Sequence, residues 1–333
     1  MFYFRTDVIL ILLRFAATRL LSPLLHFINF TERLVHSARM NQSVANTKEE
    51  MDAKNRSLLE IHIAVLLFGL AGLFAKWVAL PAIIIVLGRV VFASIFLAVL
   101  LVWRKEQIRL KRRRDYLYLA LMGIVLAIHW VTFFQAIQVS TVAIGLLTFS
   151  TFPVFVTFME PYFFKEQIRR IDVVVAMVTF AGVALVIPSF ELGNNMTQGA
   201  IWGVISGFTF AILSILNRKY VANYSSRVIA FYQDATAVFV LLPFLFIIQP
   251  SFTPQDILLL ALLGVVFTGI AHTLFIGGLS HVKAQTASII ASLEPVYGII
   301  TAVIFLGEIP TTRVIVGGLI ILGATFYATT RSA

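Results

Sequence analysis

From residue 58 to residue 330 the chain is a succession of apolar runs, each close to the ~20 residues that an α-helix needs to cross a bilayer. No other feature restricts the fold so strongly. In hydrocarbon every backbone N–H and C=O must be paired within the structure, which leaves helices or closed barrels. No stretch alternates as a barrel strand would. The runs are predicted as helices over approximately 58–75, 82–103, 116–135, 141–164, 172–188, 199–217, 228–248, 256–277, 284–306 and 312–330. Turn-forming residues stand between them: Pro81, Pro188-Ser189, Gly193-Asn194-Asn195, Gln249-Pro250 and Thr253-Pro254. Charged residues make up 13% of the chain, about half the usual share of a water-soluble surface. That excludes a soluble enzyme, a disordered regulator and a secreted disulfide scaffold. With no cysteine present, disulfides, thiolate catalysis and Cys-ligated metal sites are excluded as well. The expected fold is an all-α membrane protein with ten transmembrane helices, and no cofactor or metal site is expected.

The formal net charge of +10 follows membrane topology and does not indicate nucleic acid. Loop 2–3 holds Arg104, Lys105, Arg109, Lys111, Arg112, Arg113 and Arg114. Lys165, Arg169 and Arg170 lie in loop 4–5, Arg218, Lys219 and Arg227 in loop 6–7, Lys283 in loop 8–9, and Arg331 at the end. The opposite loops carry only Lys76 and Arg313. By the positive-inside rule both termini are expected in the cytoplasm of a multi-pass inner-membrane protein. Residues 1–57 read as a separate cytoplasmic or interfacial segment. Arg14 and Arg19 interrupt its apolar stretch, and it lacks a cleavage site, so a signal peptide is not expected. An amphipathic surface helix, or translation beginning at Met51 or Met40, are the two alternatives.

The chain repeats itself. Ser150-Thr-Phe-Pro153-Val-Phe, followed by Phe163 and Glu166, returns as Ser292-Leu-Glu-Pro295-Val-Tyr, followed by Phe305 and Glu308. The offset is 142 residues at each position. Tyr118-Leu-Ala-Leu-Met-Gly123 returns as Leu259-Leu-Ala-Leu-Leu-Gly264. Two halves of five helices follow, over 58–188 and 199–330. Five is odd, so the second half enters the membrane from the other side. Inverted repeats place a pseudo-two-fold axis in the membrane plane, where a central site can open to either side. The paired units, each with a Ser-x-x-Pro-Val helix ending in Glu, resemble the EamA-type domains of the drug/metabolite transporter superfamily. Phe133-Phe-Gln-Ala-Ile-Gln-Val-Ser140 and Asn217-Arg-Lys-Tyr220 add to that resemblance. It implies a ten-helix bundle of two inverted five-helix repeats around a central cavity, which moves amino acids, other metabolites, nucleotide sugars or lipid-linked sugars.

Intramembrane charges mark the candidate site, because each costs ~2.5–3.5 kcal/mol on insertion scales unless it has a partner or a role. Depth along the helices, at about 1.5 Å per residue, sets Glu294 near the midplane, Arg89 in the outer third and Asp234 in the inner third. Glu294 is expected to meet a cationic group of a substrate or to carry a proton; the structural alternative is a pair with Arg89. Ala287, Ala291, Glu294, Gly298 and Thr301 share one small-residue face, and the repeat counterpart of Glu294 is Phe152. Arg89 suits a carboxylate or phosphate, or reaches the outer interface. Asp234 and His272 match in depth and suit a proton relay. His129, with Trp130 and Gln135, is a candidate for the cavity wall; Trp202, Tyr232 and Tyr297 could stack on a flat substrate, but interfacial anchoring or packing suits them better. Pro153 and Pro295 are expected to bend their helices. Glu160 lies near the cytoplasmic end of its span, where solvation is expected. Glu166 and Glu308 are expected to fix loop geometry. Gly199, Gly203 and Gly207 on one face of span six suit close helix packing, within the bundle or in a homodimer.

No phosphate-binding Gly-x-x-x-x-Gly-Lys-Ser/Thr loop occurs. The reading is therefore a secondary active exporter or exchanger of a small metabolite, such as an amino acid, working by alternating access. A proton or counter-substrate would supply the energy, and membrane lipid is its surroundings. A lipid-linked sugar flippase, an intramembrane enzyme and a channel are the alternatives; the residues name neither substrate nor direction.

Overall fold

The computed structural model describes residues 51–164, 170–188 and 191–330. The expectations for residues 1–50, Lys165, Glu166, Arg169, Ser189 and Arg331 lie outside them. Arg56–Ala333 form one compact unit, which holds the bundle. Among the described residues there are helices and no strand.

We number the helices α1 (Met51–Trp77), α2 (Ala82–Trp103), α3 (Arg113–Val139), α4 (Val142–Phe149 and Phe152–Phe164), α5 (Arg170–Val186), α6 (Asn195–Val221), α7 (Ser226–Ile248), α8 (Pro254–Gly278), α9 (Ala284–Ala291 and Glu294–Leu306) and α10 (Thr312–Thr330). Among the described residues eight are long and apolar enough to cross a membrane; α5 and α10 contain shorter apolar helices, Val173–Val186 and Thr312–Ala324. Large apolar side chains such as Val99, Leu117, Met177, Phe246, Ile304 and Leu319 face outward. An outer surface of this kind suits lipid and not water.

Besides a turn at Gly72-Leu73 within α1, each half contains one helix broken at a Ser-containing step before a proline. α4 is interrupted at Ser150-Thr151 and α9 at Ser292-Leu293, the same two positions of the repeat. Pro153 and Pro295 follow in the first turn of the resumed helix. A proline has no N–H to give the carbonyl four residues back, and its ring crowds that carbonyl. Hydroxyls at the breaks bond to the preceding turn: Ser150 Oγ donates to Leu146 O (3.0 Å), Thr151 Oγ1 to Thr148 O (2.8 Å) and Ser292 Oγ to Ser288 O (3.1 Å). The expected bends are thus full interruptions. α8 carries a different irregularity, a π-helical stretch over Val265–Ile270.

The first segment of α4 packs on the second segment of α9, and the second of α4 on the first of α9. These repeat-equivalent helices therefore cross antiparallel. α2 also packs against α7, α5 against α10, and α3 against α6. The Gly199, Gly203 and Gly207 face of α6 is used within the bundle. A Cβ at Gly203 would stand 1.9 Å from Thr148 Oγ1, and one at Gly199 2.3 Å from Ser140 Oγ.

The loops gather at two ends. At one, Glu106 accepts from Arg227 Nε (2.6 Å) and Ser225 Oγ (2.9 Å), and the Tyr224 hydroxyl donates to Asp115 (2.5 Å). We call this the basic-loop end. At the other, Lys76 Nζ donates to Ser140 O (2.9 Å), Gln138 Nε2 to Leu80 O (2.8 Å), and Arg313 Nε to Leu185 O (2.6 Å). The expected solvation of Glu160 is overturned: its side chain is 2% exposed and paired with Arg218.

Candidate functional site

Arg89 of α2 is the largest fully enclosed side chain in the bundle, 2% exposed. Its guanidinium lies 4.0 Å above the centre of the Trp130 ring and 5.2 Å from that of Phe134. Nε donates to Thr268 Oγ1 at 2.9 Å, and Nη2 reaches Phe267 O at 3.4 Å. Both acceptors belong to the π-helical stretch of α8, where Thr268 Oγ1 itself donates five residues back, to Leu263 O (2.8 Å). π-bulges are rare and concentrate at functional sites. Here the wider turn presents a hydroxyl and a carbonyl to a buried cation. The backbones approach closely just beside it: a Cβ at Gly264 would stand 2.6 Å from Arg89 O.

Burying a lone ion costs several kcal/mol. Charge-assisted hydrogen bonds contribute ~1.5–3 kcal/mol each and a desolvated cation–π contact about 2 kcal/mol, so these partners offset a large part of the cost. Asp234 and Glu294 supply the opposite charge within electrostatic reach of the guanidinium. The expected Arg89–Glu294 ion pair does not form directly, and Arg89 does not reach outward. Glu294 opens the second segment of α9, so its carboxylate sits at a helix N-terminus, where the helix dipole favours negative charge. No hydrogen bond or ion pair from the described residues holds its side chain.

Asp234 of α7 is fully buried, and neither of its carboxylate oxygens has a hydrogen-bond partner among the described residues. His272, in the first turn after the π stretch, points Nδ1 at Asp234 Oδ1 from 3.9 Å, too far for a hydrogen bond. The expected pairing of these two residues is therefore present as a close but unbonded couple. Trp130 meets the His272 ring edge-on at 5.4 Å. His129 of α3 is fixed by α6: its Nδ1 lies 2.9 Å from Ser206 Oγ and 3.1 Å from Ser206 O.

These groups enclose a small central cavity. Arg89, His129, His272 and Glu294 are its polar lining, set among Phe68, Phe133, Phe149, Phe210 and Trp130. Its volume is about 20 Å³, room for little more than one water, so the centre is closed in this conformation. Where the second half places Glu294, the first half places Phe152, buried and stacked on Phe149 with centroids 5.1 Å apart. Larger cavities of about 670 Å³ at the basic-loop end and about 280 Å³ at the other share no lining residue with the centre.

Tyr297 lies elsewhere. A Cβ at Gly69 would stand 2.9 Å from its Cβ, so it packs on α1 and is absent from the cavity wall. Trp202 is exposed on the outer surface, and the Tyr232 hydroxyl donates to Ile108 O (3.2 Å). Thr268, Ser206 and the phenylalanine walls went unnoticed in the sequence, where nothing separates them from other residues of apolar helices.

The profile of the EamA-like transporter family matches this chain twice, over residues 56–187 and 197–330. An uncharacterized transporter of Bacillus subtilis strain 168 is 27% identical over 264 residues, covering 77% of this chain and 84% of the relative. An S-adenosylmethionine uptake transporter of Rickettsia conorii is 26% identical over 241 residues, covering 72% and 80%. A solved crystal structure shares the fold with a TM-score of 0.63 at 17% identity, covering 83% of this chain and 96% of its own. Helices that can cross a membrane, an internal repeat and both profile matches agree: this multi-pass membrane protein belongs to the EamA-like transporter family.

Proposed function

We propose that the chain is a secondary active carrier of a small organic metabolite, with ten spans in two inverted five-helix repeats and both termini in the cytoplasm. The antiparallel crossing of α4 and α9 supports the inversion, and the loop charges support the orientation. The observation that carries the reading is the central cluster: one arginine, two carboxylates and two histidines enclosed between helices broken at equivalent positions. Broken helices around a midplane site are how many carriers bind solute between rocking halves. The cavity is too small for a metabolite, so it corresponds to a closed stage of that cycle.

The chemistry favours a zwitterionic substrate derived from an amino acid. Glu294, with no partner for its side chain among the described residues, takes the amino or other cationic group. Arg89 faces the carboxylate, and the aromatic walls hold a flat or apolar remainder. S-adenosylmethionine has all three features and is named for the Rickettsia relative, so it is the first compound to test. Asp234 and His272, buried and unbonded to each other, are the place for a coupling proton.

The test is counterflow in proteoliposomes, with S-adenosylmethionine and a panel of amino acids as probes. Saturable counterflow of one of these, weakened in Glu294→Gln with an altered pH profile, is expected. Unsaturable flux would indicate a channel. A Glu294→Gln variant with unchanged affinity, rate and pH dependence would overturn the role of that residue.

A further inference from the structure

Two clasps of like construction stand at opposite ends of the bundle. At the far end, away from the basic loops, Glu308 Oε2 accepts the Val142 N–H (2.9 Å), and Oε1 lies 3.8 Å from Lys76 Nζ. At the basic-loop end, Glu160 Oε1 pairs with Arg218 and accepts the Ala284 N–H (3.2 Å), while Oε2 accepts the Gln285 N–H (2.9 Å). Val142 and Ala284 are the first residues of α4 and α9 and lie 142 positions apart, the offset of the repeat. Lys76 and Arg218 each stand in the last turn of the first helix of their repeat. In both clasps, therefore, one repeat gives a cation and a helix N-terminus, and the other gives the carboxylate that bridges them.

The local sequence explains how each carboxylate gets there. Gly307, with φ at +68°, ends α9 in the left-handed region, and the Glu308 N–H turns back to Ala302 O (3.3 Å). Glu160 sits within α4, immediately before Pro161. A carboxylate at exposed N–H groups of a helix start is favoured by charge-assisted hydrogen bonding and by the dipole.

We infer that these clasps are the two gates of the carrier and that they are unequal. Each bridges the two repeats, so rocking one repeat against the other must break one clasp while the second holds. The Glu160 carboxylate is 2% exposed and has three donors; that of Glu308 is 24% exposed, with one backbone donor and a distant lysine. Water screens an exposed pair, whereas burial strengthens it. The far end opens more readily, and the basic-loop end is the tighter gate. This rests on the alternating-access reading given above; that reading does not name these residues.

The absence of native cysteine makes single-cysteine reporters direct. Ser288 and Leu146 are fully buried, one turn inside the respective clasps and 142 positions apart. Ser288→Cys and Leu146→Cys are labelled in oriented proteoliposomes with a membrane-impermeant methanethiosulfonate applied to one side at a time. Glu160→Gln is expected to raise labelling at position 288 from the basic-loop side about tenfold, the shift expected from losing one charge-assisted contact. It should lower labelling at 146 from the other side. Glu308→Gln should do the reverse by a smaller factor, about threefold on the same reasoning. Arg218→Gln should reproduce Glu160→Gln and serves if that variant fails to insert. Unchanged labelling in all three variants, or a rise at both ends in one variant, would overturn the gates. The carrier reading fails separately if position 288, with both clasps intact, is labelled from both sides.

Discussion

Gly203→Ala and Gly323→Ala place the same methyl group in opposite surroundings and should change stability in opposite directions. At Gly203 the added Cβ would stand 1.9 Å from Thr148 Oγ1, 3.0 Å from Thr148 Cβ and 3.1 Å from Gly145 O. Thr148 cannot swing aside freely, because it is fully buried and its hydroxyl donates to Ile144 O at 2.7 Å. α4 must therefore move off α6 by more than an ångström. Overpacking of this kind costs ~1–3 kcal/mol, and the clash puts it at the upper end. Alanine's better helix propensity returns about 1 kcal/mol, leaving a net loss of about 2 kcal/mol. Gly323 of α10 has nothing within 4 Å of its Cβ position, so only the propensity gain, up to ~1 kcal/mol, applies there. Melting of the purified protein in one detergent should show Gly203→Ala lowered by on the order of 5 °C and Gly323→Ala level or slightly raised. Gly203→Ala with Thr148→Ala should recover part of the loss, a coupling of ~1–2 kcal/mol between contacting sites. A Gly203→Ala protein as stable as the parent, or strict additivity in the double variant, would refute the close approach of α4 and α6.

Three further outcomes follow from the site and its surroundings. Thr268→Val keeps shape but removes the hydroxyl between Arg89 and Leu263 O; it should cost ~1–3 kcal/mol of stability in detergent melts. Thr253→Ala should cost ~1 kcal/mol by removing the N-cap of α8, where Thr253 and Asp256 form a reciprocal capping box. Burial, followed by the hydrogen bond to Asp115, raises the Tyr224 phenol above its ordinary value. Its contribution is present below the unfolded value and is lost as pH rises through the folded one. Alkaline titration should thus loosen the loop 2–3 and loop 6–7 contact in the parent but not in Tyr224→Phe, read from labelling of a cysteine at Asn223.

Much of the architecture was legible because bilayer length and turn residues are local signals. The predicted bounds 82–103 and 312–330 match α2 and α10, and both interruptions fall beside the prolines expected to bend their helices. Rotation about each helix axis was not legible. These helices are apolar on nearly every face, so periodicity does not say which side looks inward. Depth counting brought Asp234 and His272 together, but it does not separate lining from packing: Tyr297, a candidate to stack on substrate, packs on α1. It also suggested a Glu294 partnership for Arg89 whose direct contacts are Trp130 and Thr268. The π stretch in Val265–Ile270 has no distinguishing residues. Glu160 was misread because distance along α4 ignores Arg218 and the start of α9, which are far away in sequence.

The central claim is that two five-helix halves traverse the membrane in opposite senses around the charged centre. Arg109 in loop 2–3 and Gly193 in loop 5–6 are both exposed, and their positions report this directly. Single Arg109→Cys and Gly193→Cys proteins in intact cells should react with an impermeant thiol reagent from opposite sides, position 109 from the cytoplasm and position 193 from outside. Labelling of both from one side would contradict the inverted arrangement and the carrier built on it.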